Sequence, residues 1–287
     1  MTWTPGSVWR GLGHRWWIRT DEPALSRYYS AFRRSGRTSV AFAVRHPVAT
    51  LLALVATARL PSVQARLSAG PGGAALYEAL CRPVVLGAGL GVTGVSVLAV
   101  PADPQEYLQG RARQTLRRRF RSAERRGITC RPVDDPAERR ALVRLADEAE
   151  KSHPDPRYRI DSPDNTDLLE HGLWLVACAP QGRPLLLSVT PTDGEWGLLR
   201  YFRTLGHGPE YSDSRYLMCV ALVEALAGHG VRYLVDTWHP GGIPEGLRQF
   251  QRSVGYRLVR VIPRRTSRVN LPGESAVLAR ELPRAEA

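Results

Sequence analysis

Residues 173–204 read LWLVACAPQGRPLLLSVTPTDGEWGLLRYFRT. Three runs within this stretch, LWLVAC (173–178), PLLLSVT (184–190) and WGLLRYFRT (196–204), are rich in large apolar and β-branched side chains. Turn signals at Pro180 to Gly182 and at Asp193-Gly194 separate them, so they form an antiparallel meander. Alternation along the third run sets Arg200 and Phe202 on one face and Tyr201 and Arg203 on the other. One pair is expected to face a cleft.

Downstream, Ser212 or Asp213 caps a helix that runs to Ala227 and stops at Gly228 and Gly230. A strand VRYLVD (231–236), a helix from Pro244 to Ser253 and a strand YRLVRVI (256–262) close the unit. Upstream of the meander lies a polar, proline-bearing loop, Lys151 to Asp167, preceded by a helix that starts at Asp135-Pro136 and buries Leu142, Leu145, Ala146 and Ala149. Before it come a short strand, ITCRPV, and a helix with Asp103, Pro104 and Glu106 as its start signals and Gly127 as its stop. Leu108, Ala112, Leu116 and Phe120 form the expected buried stripe of that helix. Its other faces carry eight arginines within residues 111–126, and Glu124 is the one acid among them. GVSVLAV (94–100) reads as the strand that enters this ordered part.

The first 93 residues are less legible. A helix is expected around Ala24 to Arg34, and the apolar run VATLLALVATA (48–58), bracketed by Arg45 and Arg59, reads as a buried helix. It falls short of the roughly 18 to 20 residues needed to span a bilayer. Trp3, Trp9, Trp16 and Trp17 alternate with Arg10, Arg15 and Arg19, which suits an interfacial segment, and the start lacks the apolar core of a secretory signal.

The chain of 287 residues has 43% hydrophobic content, enough for a core, and a formal charge of +13 that favours a polyanionic partner. Cys81, Cys130, Cys178 and Cys219 form no close pair, so neither a disulfide framework nor a metal site is expected; the location expected for such thiols is the reducing cytoplasm.

YLQGRARQTLRRRFRSAERRGI (107–128) resembles the arginine-rich helix ending in R-x-A-x-R-x-G of the Fem-like peptidyltransferases and their GNAT relatives. YLMCVALVEALAGHGVRYLVD (216–236) resembles their helix leading into a G-x-x-x-x-D strand, and GLRQFQRSVGYRLVRV (246–261) their closing F-K-x-x-F-G element. Gln251 stands where that element has lysine, and Val254 where it has an aromatic. The resemblance implies an α+β fold of the GNAT type with a central mixed sheet over residues 94–287, carrying a basic tail from about 263. Residues 1–93 would form a mainly helical or truncated GNAT-like region packed on it, since they are too few for the complete first domain of the Fem-like proteins.

The resemblance also implies amide formation from an aminoacyl-tRNA co-substrate, with no cofactor and no metal. The acceptor would be an amine on a small molecule, such as a natural-product intermediate, or on a peptidoglycan-type precursor. The alternative donor is an acyl carrier protein or acyl-CoA. Its pyrophosphate needs a glycine-rich loop at a helix start, and LGHGPEYSDS (205–214) replaces one amide with Pro209 and adds Glu210 and Asp213. A third reading is an RNA-binding module without activity.

Arg113, Arg117, Arg118, Arg121 and Arg125, with Arg248 and Arg252, are the expected tRNA contacts. Asp236 and His239, at the end of the VRYLVD strand, are candidates to take the amine proton, and Tyr211 to protonate the leaving hydroxyl. Tyr201, Arg203, Tyr216, Trp238 and His153 are candidates to line the substrate cleft.

Overall fold

The computed structural model describes residues 22–266 apart from Leu86 and Pro240. The four tryptophans before residue 18 and the tail beyond 266 lie outside the described residues.

Three helices come first, α1 (Glu22–Ser35), α2 (Ser39–Arg45) and α3 (Pro47–Ala58). The Thr38 hydroxyl caps α2 by accepting from the Ala41 N–H, and Pro47 begins α3 at a position where its missing N–H leaves nothing unpaired. The run 48–58 is helical but not buried: Leu51, Leu52 and Leu54 are 62%, 63% and 58% exposed. Its alanines explain the inversion. Ala53 and Ala56 pack against Leu25 and Tyr29 of α1, and this approach through small side chains turns the large ones outward.

Next come β1 (Ser62–Leu67), α4 (Pro71–Cys81), β2 (Pro83–Val85), β3 (Ala88–Gly89), the single-turn α5 (Leu90–Thr93) and β4 (Val95–Ala99). β1 is absent from the sequence-based expectation because SVQARL has no run of β-branched residues. Its place depends on a partner almost 200 residues away.

The expected helix from Asp103 to Gly127 is broken. Asp103 does cap a turn, accepting from the Gln105 N–H, but residues 104–108 form a 3-10 turn and Gly110 reverses the chain at φ 84°. The α-helix proper, α6, spans Gln114–Arg125, so Ala112 is exposed and the buried positions are Leu116 and Ala123. β5 (Thr129–Pro132) leads to α7 (Pro136–Lys151), capped by the Asp135 carboxylate on the N–H groups of Ala137 and Glu138.

The meander follows as β6 (Leu173–Cys178) and β7 (Pro184–Thr190), and then β8 (Thr192–Asp193), β9 (Trp196–Leu199) and β10 (Tyr201–Thr204). The run 196–204, read as one strand, is interrupted at Arg200, whose N–H turns back to the Leu198 carbonyl. α8 (Pro209–Gly228), β11 (Tyr233–Asp236), α9 (Glu245–Val254) and β12 (Arg257–Arg265) complete the chain. α8 starts a turn earlier than Ser212 or Asp213 would place it. Asp213 is instead buried, and accepts from Arg119, Ser122 and Arg126, tying α6 to α8.

The interruption at Arg200 divides the strands between two sheets. One has the order β1-β12-β4-β11-β9-β8 and the other β10-β7-β6-β5. β9 runs parallel to β11 from Tyr233↔Trp196 to Asp236↔Leu199, whereas β10 runs antiparallel to β7. β1 extends the first sheet by parallel pairing with β12, Ser62 opposite Arg260. α6, α8 and α9 cover one core, with Leu116, Met218, Leu222 and Val254 inside it, and α7 covers another with Leu142 and Trp174. This is a mixed α/β architecture with a mixed sheet, in the element order read from residue 94 onward.

Gly255 closes α9 in the left-handed region, at φ 100°, and a Cβ there would meet the Arg113 guanidinium. Gly255→Ala is expected to cost about 1–2 kcal/mol. Urea unfolding checks this: the midpoint should fall with the slope unchanged.

Candidate active site

The last paired residues of β9 and β11 are Leu199 and Asp236, and beyond them the strands part. β10 leaves for the second sheet while residues 237–239 turn away, opening a cleft of about 610 Å³. Tyr201, Arg203, Arg215, Asp236, Trp238 and His239 are among its lining residues. A more open groove of about 1040 Å³ adjoins it. The two share Arg82, Arg200 and Thr237 and so meet where the strands separate.

Asp236 is 6% exposed. Its Oδ1 accepts from the Trp238 N–H at 3.0 Å and its Oδ2 from Gln251 Nε2 at 2.7 Å, while Gln251 Oε1 accepts from the Ser96 hydroxyl. Burial outweighs these bonds and raises its carboxyl to about 6. Gln251 is a neutral amide bonded to this carboxylate, and brings no cation to hold the charge. A carboxylate near 6 is matched to proton removal at neutral pH.

His239 has the opposite character. Its Nδ1 accepts from the Gly241 N–H at 3.0 Å, which places the proton of the neutral ring on Nε2. Burial, reinforced by Arg82, lowers its pKa to about 4, so it stays neutral. Nε2 is buried without a hydrogen-bond partner among the described residues. The geometry makes His239 a donor, not the base it was also expected to be. Tyr201 is a second donor: burial, then the neighbouring Glu150 carboxylate, push its hydroxyl well above the usual range. Glu150 is itself buried and holds Arg203 at 3.1 Å.

Arg215 was not among the expected residues, because in sequence it is one more arginine near a helix start. Its guanidinium lies 4.4 Å above the Phe250 ring, burial lowers its pKa, and it has no acidic partner among the described residues. An inward, unpaired cation suits an anionic group of a substrate. Phe250, at the cleft floor, Gln251 and Glu150 were likewise missed; only Gln251 left a trace, as a departure from the lysine pattern.

Several expected residues lie elsewhere. The Tyr211 hydroxyl meets Arg183, away from the cleft, and its ring fills the space beside Gly206. Tyr216 packs edge-on against Phe250 at 5.2 Å in the core behind the cleft. His153 is turned into its own loop, with its ring 5.0 Å from that of His207. Arg248 is 6% exposed and cannot form part of an open basic surface. Arg113 is half-buried over the Tyr107 ring, and Arg252 donates to the Ser26 hydroxyl. Arg117 donates to the carbonyls of Leu108 and Gly110, bracing the break before α6. Arg118, Arg121 and Arg125 are exposed and, with Arg117, line a shallow concavity.

Among the described residues no group of three His, Cys, Asp or Glu is placed to hold a metal ion. No family model and no curated protein matches the sequence.

Among solved structures, the chain is similar to one named FemX, at 12% identity and TM-score 0.46, covering 58% of this chain and 59% of that one. It is also similar to L-PGS from Bacillus licheniformis, at 13% identity, TM-score 0.43 and 57% of each chain. A third is the C-terminal DUF2156 domain of an Agrobacterium fabrum protein described as a lysylphosphatidylglycerol synthetase, at 13% identity, TM-score 0.42 and 57% of each chain. The likeness spans somewhat over half the length of these proteins and carries no function across.

Proposed function

We propose that this protein is an aminoacyl-tRNA-dependent aminoacyltransferase that forms an amide on an amine acceptor, acting on the cytoplasmic side. The observation that carries the reading is the meeting of two clefts at the parting of β9 and β11, beside a buried carboxylate near pKa 6 and two neutral donors. Two substrates can enter by separate routes and touch only there. Asp236 takes the proton from the attacking amine as the C–N bond forms and returns it to the tRNA ribose oxygen as the ester C–O bond breaks, while the Tyr201 hydroxyl and His239 Nε2–H are the groups available to the oxyanion between these steps. An ester donor brings its own activation, so no cofactor is required by this chemistry.

The choice of donor rests on the start of α8. A CoA pyrophosphate would sit at a helix N-terminus, but here Glu210 pairs with Arg183 and the buried Asp213 with Arg119 and Arg126. The chain's own acids already use the cations there. The exposed arginines of α6 offer phosphate contacts instead. Acceptor candidates remain a natural-product intermediate or a peptidoglycan-type amine.

Binding separates the donors. A non-hydrolysable aminoacyl-tRNA analogue is expected to raise the unfolding temperature and acetyl-CoA to leave it unchanged; the reverse result would replace this reading with a CoA-dependent one. Arg215→Ala is expected to raise KM for one substrate roughly tenfold or more, with a smaller change in kcat, as loss of a charged hydrogen-bond donor implies. Steady-state kinetics in each substrate would show which of them carries the anion.

A further inference from the structure

The outward face of α2 and α3 is the largest departure from ordinary burial among the described residues. Val40, Val44, Val48, Leu51, Leu52, Leu54 and Val55 are between 38% and 77% exposed. They account for most of the large exposed apolar side chains among the described residues. The chain bends by 113° between the two helices, at His46. At about 1.5 Å per residue, the 12 residues of α3 reach about 18 Å, against a hydrocarbon core of about 30 Å. The pair is shaped as a shallow wedge.

The charges around it select the occupant. From residue 23 to residue 77 there is no Asp or Glu, while Arg34, Arg37, Arg45 and Arg59 are exposed around the apolar face. A second copy docking face to face would bring two arginine rims together. Residues 1–21 carry Arg10, Arg15 and Arg19 against the single Asp21, and would meet the same repulsion. An anionic bilayer surface satisfies both features: acyl chains receive the valines and leucines, and phosphate headgroups receive the arginines.

We infer that α2 and α3 form an interfacial anchor that docks this protein on anionic membrane. The inference is independent of the transferase reading, but it has a consequence for the cleft. α1 lies between the two, packing its Leu25 and Tyr29 on α3, with the Tyr29 ring 5.1 Å from His239 and Arg33 bonded to the Ile243 carbonyl. Docking therefore places the rim that carries Trp238 within about one helix diameter, some 10 Å, of the membrane-facing helices.

Sedimentation of the full chain with vesicles tests this. The protein should pellet with phosphatidylglycerol-containing vesicles, less with pure phosphatidylcholine, and Leu51→Glu/Leu52→Glu should lower the partition coefficient roughly tenfold or more. Because both leucines are exposed, the variant should keep its unfolding temperature. Three results would overturn the inference: no pelleting of the wild type, equal pelleting of the folded variant, or pelleting lost on removal of residues 1–21 but kept in the variant. A wild-type dimer that the same substitutions dissociate, with no vesicle binding, would assign the face to a second copy instead.

Discussion

Asp236→Asn should unfold at a higher temperature than the wild type at pH 8 while losing a hundredfold or more in transfer rate. The stability half follows from the carboxyl's rise from its ordinary 3.8 to about 6 on burial. Between those values the native protein holds a proton that the unfolded chain releases. Any stabilisation from the protonated form is therefore complete below about pH 4 and lost as pH rises through 6. That rise corresponds to about 3 kcal/mol of destabilisation once the group is ionised. Asparagine removes the charge and keeps the shape. Gln251 can turn its amide over to face it, with the Ser96 hydroxyl changing from donor to acceptor.

At pH 4 the advantage should vanish. His239 works in the other direction, since its depressed pKa contributes stability above 6.5 that is lost toward 4. With Asp236 silenced, stability should climb more steeply with pH across that window. The activity half, a loss of roughly 10²–10⁴ in kcat, is the usual worth of a positioned base. A variant that gains stability and keeps its rate would leave Asp236 a buried structural carboxylate.

The triple change Arg118→Ala/Arg121→Ala/Arg125→Ala should flatten the salt dependence of tRNA binding by about 2 to 3 in log-log slope, at roughly one condensed counterion per phosphate contact. Affinity at low salt should fall by a large factor, and the fold should not suffer, because these side chains are exposed and make no ion pairs among the described residues. Arg119→Ala/Arg126→Ala is the informative contrast. Those two hold the buried Asp213, so their loss should destabilise the junction of α6 with α8. Filter binding across a salt series, paired with thermal unfolding, separates the two sets.

The meander was legible because its turn residues and its apolar runs agree, and the closing helix and strand because Gly255 punctuates them. The interruption at Arg200 was not, since WGLLRYFRT reads as one strand until β11 and β7 compete for its two halves. Gly110 hid a break that helical periodicity ran straight across. α3 was misread for a related reason: hydrophobicity predicts burial only when the partner surface can take the large side chains, and here it takes Ala53 and Ala56. Among site residues, Asp236, His239, Trp238, Tyr201 and Arg203 converge because they end or flank strands that part. Tyr211 and Tyr216 were placed by helix proximity alone, and the register of α8 turns both away from the cleft. Arg215, from the same turn, enters it, and composition had no means of telling it from its surface counterparts.

The most direct test is transfer itself: charged tRNA bearing labelled amino acids, incubated with the protein and a panel of amine acceptors, with and without RNase. Label should enter an amide product, and should no longer do so when RNase destroys the donor before protein is added. Label transfer that survives that treatment, or that appears only with acyl-CoA, would rule out aminoacyl-tRNA as the donor.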